Sequence, residues 1–248
     1  MFNTIAIILA AGQGKRMQSD LPKVLHKVAG RPMIEYSLSA STAATGERPI
    51  IVVGHKAYQV KSQIGTRADY VLQENQLGTG HAVLQAEKLL RDQCQFVLVL
   101  SADMPLLSAE TLQRLIAKQQ SHSGPMTMTT TFSEASHGFG RVIRDDHNQI
   151  VAIVEEALAS PEELLIRELN VGVYCFNADW LWTALHQISI SPKGEYFLTD
   201  LVAIAVNHGL EVQTITLDDP AEALGINTQE HLSEAELLIS NRQMMVQL

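Results

Sequence analysis

Three short apolar runs without polar alternation restrict the possible fold most strongly. They are residues 5–9 (IAIIL), 50–53 (IIVV) and 96–100 (FVLVL). A strand that is apolar on both faces must be covered on both, as in a parallel sheet with helices on each side. Apolar residues at helical spacing precede the third run, at Val83, Ala86 and Leu90. A second helical pattern follows this run, at Leu112, Leu115 and Ile116, with Ser108 as a plausible N-cap. The pattern predicts an α/β fold with a Rossmann-like, doubly wound and mostly parallel sheet.

The pattern changes from Gly124 onward. Residues 126–129 alternate, residues 150–154 and 171–176 are apolar, and no long helical pattern lies between them. We expect these runs to extend the sheet and to form a smaller antiparallel lobe. Helical spacing returns at residues 198–205 and again after Asn227. The sequence therefore predicts one domain in two halves, about 1–123 and about 124–227, followed by a C-terminal helix at 228–248.

Charge and cysteine content exclude several classes of protein. The chain has 18 basic and 27 acidic residues, a net charge of −9, which argues against a nucleic-acid-binding or anionic-membrane surface. Two cysteines, Cys94 and Cys175, are too few for a disulfide scaffold or a four-cysteine zinc site and suit a reducing cytoplasm. The N-terminal apolar stretch is far shorter than the about 20 residues of a membrane span, and its basic residues follow it rather than precede it. We expect a cytoplasmic protein, with homo-oligomer formation left open.

A glycine-containing loop follows the first predicted strand, at residues 9–17 (LAAGQGKRM). Ligands bind at the carboxyl ends of strands in open α/β sheets, where glycines let backbone N–H groups approach a phosphate. A dinucleotide fingerprint would need glycine in place of Met17, and a P-loop would need Ser or Thr in place of Arg16. The loop instead combines glycines with Lys15 and Arg16, and Lys23 follows. Phosphate binding is the functional interpretation, and an ordinary structural turn is the alternative.

Asp103 lies just after the third run, in the sequence SADMP. If the first and third runs are neighbouring strands, Asp103 reaches the glycine loop. A carboxylate there suits Mg²⁺, which often takes one or two protein oxygens together with phosphate oxygens and water. The alternative is a turn residue ahead of Pro105. Further polar or glycine positions at predicted strand ends and turns are each weak signals alone; they are Gln73, Gly78, Thr79, Gly140, Glu155, Asn170 and Asn227.

Read in order, these segments resemble the sugar-1-phosphate nucleotidyltransferases. The resemblance covers about residues 4–230 and is greatest to the uridyltransferase half of the bacterial bifunctional uridyltransferase/acetyltransferases. Its motifs are LAAGxG with RM, LPKVLH (21–26), LGTGHA (77–82), DxPL (103–106), GFGR (138–141), VE (154–155), NxG (170–172), GEYxLTD (194–200) and GxN (225–227). The LPKVL and LGTGHA segments together are highly specific.

The resemblance implies synthesis of UDP-N-acetylglucosamine, a cell-wall and lipopolysaccharide precursor, and pyrophosphate from UTP and N-acetylglucosamine 1-phosphate. The reaction would be a Mg²⁺-dependent in-line attack on the α-phosphate. Residues 1–123 would then be the nucleotide-binding half and residues 124–227 the sugar-binding half. The implied roles are nucleotide binding by Leu9, Ala10, Ala11, Gly12, Gly14, Gln73 and Gly78; catalytic contacts to phosphates by Arg16 and Lys23; Mg²⁺ ligation by Asp103 and Asn227; and sugar binding by Thr79, Gly140, Glu155 and Asn170.

The sequence departs from the family pattern at several positions. The chain stops at Leu248, so no acetyltransferase β-helix is expected, and either a truncated chain or a stand-alone enzyme fits. Lys15 replaces a usual Thr, and Ala102 replaces a usual Gly. Ala157 and Leu158 stand where the family commonly has Lys-Asp, which leaves the sugar preference open. The alternatives are a related transferase with another nucleotide or phosphate acceptor, and a non-catalytic protein that binds UDP-sugar.

Overall fold

The computed structural model describes residues 3–134 and 138–246, except for the side chains of Lys15 and of residues 243–246. The strands are β1 (Thr4–Ala10), β2 (Lys27–Val28), β3 (Arg31–Pro32), β4 (Ile50–Val53), β5 (Asp69–Leu72), β6 (Phe96–Ser101), β7 (Met126–Phe132), β8 (Arg141–Arg144), β9 (Ile150–Val154), β10 (Glu168–Asn177) and β11 (Gln213–Thr216). The helices are α1 (Met33–Thr45), α2 (Ala57–Ile64), α3 (Thr79–Leu84), α4 (Glu87–Leu90), α5 (Ala109–Gln120), α6 (Ala178–Leu185), α7 (Asp200–Asn207) and α8 (Gln229–Val246).

The central sheet has the strand order β11-β7-β10-β6-β1-β4-β5. β1 pairs in parallel with both β4 and β6, with Ile8 opposite Ile51 on one side and Leu100 on the other. β10 is antiparallel to β6 and β7, while β11 is parallel to β7. Along this path β10 alone therefore runs against the other strands. The predicted mostly parallel sheet is confirmed, and the first and third apolar runs are neighbours as expected.

Both faces of the central strands are buried, which is why their sequences do not alternate. Ile7 and Ile8 point to opposite faces, and both are fully buried. Ile7 packs with Val52 and Val99 in one apolar cluster, and Ile8 packs with Ile51 in the other. Burial of an aliphatic side chain on each face contributes roughly 1.5–3 kcal/mol. The sheet is thus held by two separate cores.

The second half adds a small antiparallel unit at the edge of β10. β8 and β9 form an antiparallel pair, and Arg141 of β8 pairs with Leu169 of β10. The predicted strand at 171–176 is longer in the structure, because residues 168–170 also pair with β7. The β7–β10 register shifts between Asn170 and Tyr174, a bulge centred on Gly172 with φ +83°. Asn170 therefore lies inside a bent strand, not at its start.

The helical predictions are confirmed with one interruption. Ser108 caps α5 by accepting a hydrogen bond from the Thr111 N–H, 3.1 Å away. The predicted helix through residues 83–90 is divided into α3 and α4. The Gln85 amide donates to the His81 carbonyl at 2.9 Å, and the Gln85 backbone N–H bonds to Ala82 instead. Because the Gln85 side chain occupies the His81 carbonyl that its own backbone N–H would use in an α-helix, the chain makes a tighter turn at this point.

The C-terminal helix begins at Gln229, and residues 247–248 of the predicted helix lie outside the described residues, as do residues 1–2. Within 3–134 and 138–246, we find no helix with the length and hydropathy required to cross a bilayer.

The division of the domain into two halves, with boundaries near residues 123 and 227, stays a prediction.

Candidate active site

A cavity of about 670 Å³ opens at the carboxyl ends of β1, β5 and β6 and extends toward β10. Every residue assigned to the site from the sequence lines it: Leu9, Ala10, Ala11, Gly12, Gly14, Arg16, Lys23, Gln73, Gly78, Thr79, Asp103, Gly140, Glu155, Asn170 and Asn227. Placement in one cavity establishes that these residues are neighbours. Their individual roles stay predictions.

The strand order arranges the lining residues across the cavity. Gln73 follows β5, Ala11 follows β1, Asp103 follows β6, and Asn170 belongs to β10. Because the strands lie in the order β10-β6-β1-β4-β5, Asp103 lies between the glycine loop and Asn170. One end of the cavity is thus formed by the parallel strands, and the other end by the antiparallel addition.

The glycine loop turns sharply at Gly14, which has φ +63°. A Cβ atom on Gly14 would lie 2.5 Å from the Cβ of Lys23, closer than real Cβ atoms approach. The Gly14 carbonyl accepts from the Met17 N–H at 2.9 Å, and the Met17 side chain is buried beneath the turn. Arg16 is exposed at the same turn and faces the cavity. Glycine at position 14 is therefore required for the approach of Lys23 as well as for the turn.

Lys23, Asp103, Asn227 and Arg16 form a charged cluster in the middle of the cavity. The Lys23 ammonium donates to Asp103 Oδ2 and, at 2.7 Å, to Asn227 Oδ1. Arg16 Nη2 donates to the same Asn227 oxygen at 2.9 Å. The side chains of Lys23 and Asp103 are only 14 % and 16 % exposed. The cluster thus combines two cations with a carboxylate in a partly desolvated position, where charge interactions are stronger than in water.

The electrostatics of Asp103 favour its ionised form. Burial raises the pKa of this carboxyl group, but the nearby Lys23 charge and the hydrogen bonds from Lys23 and Ser101 lower the pKa more. The net effect is a pKa below the ordinary value of 3.8. Asp103 is therefore a carboxylate at neutral pH.

The donor set fits a magnesium ion. Asp103 Oδ2 and Asn227 Oδ1 both contact the single Lys23 nitrogen, so the two oxygens converge on one cation position. Among the described residues, no group of three or more His, Cys, Asp or Glu side chains could hold a metal by itself. Two oxygens without a full protein cage match an ion that takes its other ligands from phosphates and water.

The loop after β5 is fixed by contacts with residues 196–198. The Gln73 amide is buried and donates to the Gly78 carbonyl at 3.0 Å. Gly78 has φ +98°, and a Cβ there would lie 2.6 Å from the Tyr196 carbonyl oxygen. The Thr79 hydroxyl accepts from the Leu198 N–H at 3.0 Å. Gln73, Gly78 and Thr79 are therefore held in fixed positions around the cavity.

Two polar side chains at the β10 end of the cavity, Glu155 and Asn170, are held by hydrogen bonds within the protein. Glu155 Oε1 accepts from the Thr199 hydroxyl at 2.8 Å. Asn170 Nδ2 donates to the Tyr174 hydroxyl at 2.7 Å, while its Oδ1 accepts from the Gly172 N–H at 3.2 Å. Burial raises the pKa of Tyr174 far above its usual value, so its hydroxyl stays protonated. One N–H and one oxygen lone pair of the Asn170 amide are thus committed to Tyr174 and Gly172, which fixes the orientation of this amide at the cavity wall.

Sequence reasoning did not assign roles to several lining residues: Gln76, Ser101, Phe139, Gly172, Tyr174, Glu195, Phe197 and Thr199. Phe139, Gly172, Glu195 and Thr199 belong to motifs quoted for the family resemblance, so a signal for them was present. Tyr174 lies in the middle of an apolar run, where nothing in the pattern distinguishes it from a core residue.

Comparison with known proteins places the chain in a family. A family model described as "Nucleotidyl transferase" matches residues 5–221. Similar curated proteins include the "Bifunctional protein GlmU" of Pelotomaculum thermopropionicum, 45% identical over 238 residues (96% of this chain, 52% of the relative). The proteins of the same name from Heliobacterium modesticaldum and Bacillus licheniformis are 42% and 39% identical over 243 residues, 98% of this chain and 53% of each relative.

The chain thus spans about half the length of these relatives. The family match includes most of the segments that line the cavity, from the glycine loop after β1 to Thr199, whereas Gly225 and Asn227 lie outside the matched residues. By this match over most of its length, the chain belongs to the nucleotidyl transferase family.

Proposed function

We propose that this chain forms UDP-N-acetylglucosamine and pyrophosphate from UTP and N-acetylglucosamine 1-phosphate. Two arguments support the proposal: the identity to bifunctional GlmU proteins along nearly the whole chain, and the resemblance of the motifs to the uridyltransferase half of such enzymes. A nucleotide and a sugar phosphate are the substrate classes that this relationship implies. We also propose that the protein acts in the cytoplasm.

The observation that carries the proposal is the position of the charged cluster. The charged cluster of Lys23, Asp103 and Asn227 lies between the glycine loop after β1 and the polar side chains at the β10 end of the cavity. A nucleoside triphosphate seated on the loop and a sugar phosphate seated near Asn170 would both direct their phosphates to this cluster. Such an arrangement suits a reaction in which the two phosphates must meet.

The proposed roles follow the arrangement of the cavity. In the nucleotide-binding half, residues 1–123, the backbone of Leu9, Ala10, Ala11, Gly12 and Gly14 would bind the nucleotide together with Gln73 and Gly78. In the sugar-binding half, Gly140, Glu155 and Asn170, with Thr79 from the loop after β5, would bind the sugar. The two halves would then each supply one wall of a shared site.

The chemistry requires positioning and charge neutralisation rather than a general base. A phosphate oxygen of the sugar phosphate would form a bond to the α-phosphorus of UTP, and the bond from that phosphorus to the β-phosphate oxygen would break, releasing pyrophosphate. A phosphate monoester has its second pKa near about 6, so the attacking oxygen is already an anion at neutral pH. Lys23 and Arg16 would bind the phosphates and offset negative charge as it moves to the leaving group.

Nucleotidyltransferases of the GlmU type generally depend on a divalent metal ion. We propose Mg²⁺ at Asp103 and Asn227, where the ion would withdraw charge from the phosphates. The ionised state of Asp103 and the convergence of both oxygens on one position support these two residues as its ligands.

The test is pyrophosphate release measured over the common nucleoside triphosphates combined with several sugar 1-phosphates, each with and without Mg²⁺. We expect UTP with N-acetylglucosamine 1-phosphate to give the highest kcat/KM. A higher value for another pair would replace the proposed substrates while keeping the reaction class. If all pairs are inactive and calorimetry still detects UDP-sugar binding, the chain is a binding protein and the proposal is wrong.

A further inference from the structure

Arg141 is among the largest fully buried side chains of the molecule, with 2 % of its surface exposed. Its Nη2 lies 3.1 Å from Glu156 Oε2, and its Nη1 donates to the Phe139 carbonyl. Its Nε has no partner in the part of the chain that the structure describes. A buried guanidinium whose charge has no counterion is strongly unfavourable, so the Glu156 carboxylate is important for keeping Arg141 in place.

The Arg141–Glu156 ion pair joins two segments that reach the cavity. Gly140 precedes Arg141 and lines the cavity, and Glu155 precedes Glu156 and also lines it. Each member of the ion pair is therefore the immediate sequence neighbour of a residue that lines the cavity. Since Glu156 follows the end of β9 and Arg141 begins β8, the ion pair closes the open end of this hairpin.

The backbone extends the link to a third cavity residue. The Gly140 carbonyl accepts from the Asn170 N–H at 2.9 Å. A Cβ on Gly140 would lie 2.7 Å from Ile153 Cγ2, so this strand end is packed closely against β9. A shift of Arg141 would therefore displace Gly140 and change the spacing between Asn170 and Glu155.

We propose that Glu156 is a positioning residue for the sugar-phosphate end of the cavity. The ion pair between Glu156 and Arg141 fixes the two segments relative to each other. Gly140, next to Arg141, and Glu155, next to Glu156, are thereby held at the spacing that the acceptor requires. Glu156 itself does not line the cavity, and its side chain is about one third exposed. The assignment rests on the proposed function in one respect only, namely that the acceptor binds at this end.

The kinetic test compares Glu156→Gln, which keeps the shape and removes the charge, with Glu156→Asp, which keeps the charge. Glu162→Gln is the matched control, because it removes an exposed charge from the same connection between β9 and β10. For Glu156→Gln we expect the KM for the sugar phosphate to rise about tenfold, with the KM for UTP changed less than about twofold. Glu156→Asp should recover part of the loss, and the control should match the wild type.

The second measurement does not depend on turnover. Hydrogen exchange of the free protein should be faster in Glu156→Gln than in the wild type for peptides covering 138–144 and 153–158, and unchanged for residues 4–10 of the central sheet. Equal KM changes for both substrates, or faster exchange with no change in the acceptor KM, would overturn the proposal. If the wild type is inactive with every sugar phosphate, the proposed function fails, and exchange alone then decides whether Glu156 holds these segments.

Discussion

Gly14 and Lys23 lie so close together that no side chain fits between them. A Cβ atom on Gly14 would be 2.5 Å from the Lys23 Cβ, and the Lys23 ammonium is the group that contacts both Asp103 and Asn227. The turn of the glycine loop therefore sets the position of the central cation. This couples a backbone requirement in the loop directly to the charged cluster.

Gly14→Ala should consequently lower kcat by about 10- to 100-fold, because Lys23 would be displaced from the cluster. The matched control is Gly46→Ala, since Gly46 also has positive φ (+72°) but has nothing within 4 Å of an added Cβ. Both variants should lose about 1–2 kcal/mol of stability from backbone strain. Steady-state kinetics with thermal unfolding separates the two effects, and equal kcat values for both variants would contradict the coupling.

Asp103→Asn should lower turnover by about 100-fold or more without unfolding the protein, because the amide removes the ionised oxygen at the proposed metal position. Asp69→Asn provides the control, since Asp69 forms only a half-exposed pair with Arg48 at 3.2 Å. Pyrophosphate release at saturating Mg²⁺ is the measurement. Undiminished activity of Asp103→Asn would remove this residue from the site.

Lys23→Met should have two opposite effects. Because the Lys23 ammonium contacts the oxygens of Asp103 and Asn227, a divalent cation must compete with it for these two oxygens. Mn²⁺ binding to the free variant, followed by electron paramagnetic resonance, should be about tenfold tighter than to the wild type. Turnover should fall, with kcat reduced more than KM is raised. Lys27→Met, at an exposed lysine of β2, should change neither quantity.

Glu155→Ala should lose catalytic efficiency through the sugar phosphate while the KM for UTP changes little. A polar sugar group left without a partner costs roughly 1–3 kcal/mol. Thr199→Val should have a smaller effect in the same direction, because it removes the 2.8 Å hydrogen bond that orients Glu155. Glucose 1-phosphate should be used measurably, though less well than N-acetylglucosamine 1-phosphate. A larger effect on UTP than on the sugar phosphate would reverse the assignment of this end of the cavity.

Stability should depend on pH through Glu35, which does not line the cavity. Arg67 binds both oxygens of Glu35, at 2.6 and 2.7 Å. The hydrogen bond from Arg67 outweighs burial and lowers the pKa of Glu35 below its ordinary value of 4.5. A lowered folded-state pKa stabilises the protein above pH 4.5, and this stabilisation is lost as the pH falls through the folded-state pKa.

Chemical denaturation of the wild type and Glu35→Gln at about pH 7 and about pH 3 tests this prediction. The wild type should be more stable by about 1–2 kcal/mol at the higher pH, and the difference should shrink at the lower pH. Exposed Glu47 gives the control variant Glu47→Gln. A difference that stays constant with pH would show that the ion pair does not supply the stabilisation.

The sequence allowed the central sheet and about half of the cavity lining to be predicted. The sheet follows from local pattern, and the lining follows from local pattern together with the family resemblance. Apolar runs such as residues 50–53 indicate strands buried on both faces, and the ends of such strands indicate where a ligand binds. Asp103 was found in this way. Asn227, which is distant in sequence and follows no strand, was only a weak signal until the family resemblance gave it the role of a metal ligand.

Other features depend on contacts between distant segments and could not be predicted. Gly78 must be glycine because Tyr196 lies against it, and no pattern near position 78 carries that information. The bulge that places Asn170 inside β10 depends on pairing with β7. The pair between Arg141 and Glu156 likewise becomes visible only when β8 and β9 are side by side.

The antiparallel strand β10 has a consequence for redesign. It lies between β6 and β7, and it also carries Asn170, so the strand that reaches the proposed acceptor end of the cavity is part of the central sheet. A chimera cut near residue 124 would separate β6 from a partner strand and expose unpaired backbone groups. Segments 155–167 and 190–199 connect β9 to β10 and α6 to α7, and Glu155 and Thr199 within them line the cavity. Exchange of these connections is therefore the route by which acceptor preference can be transplanted while the strand pairings stay intact.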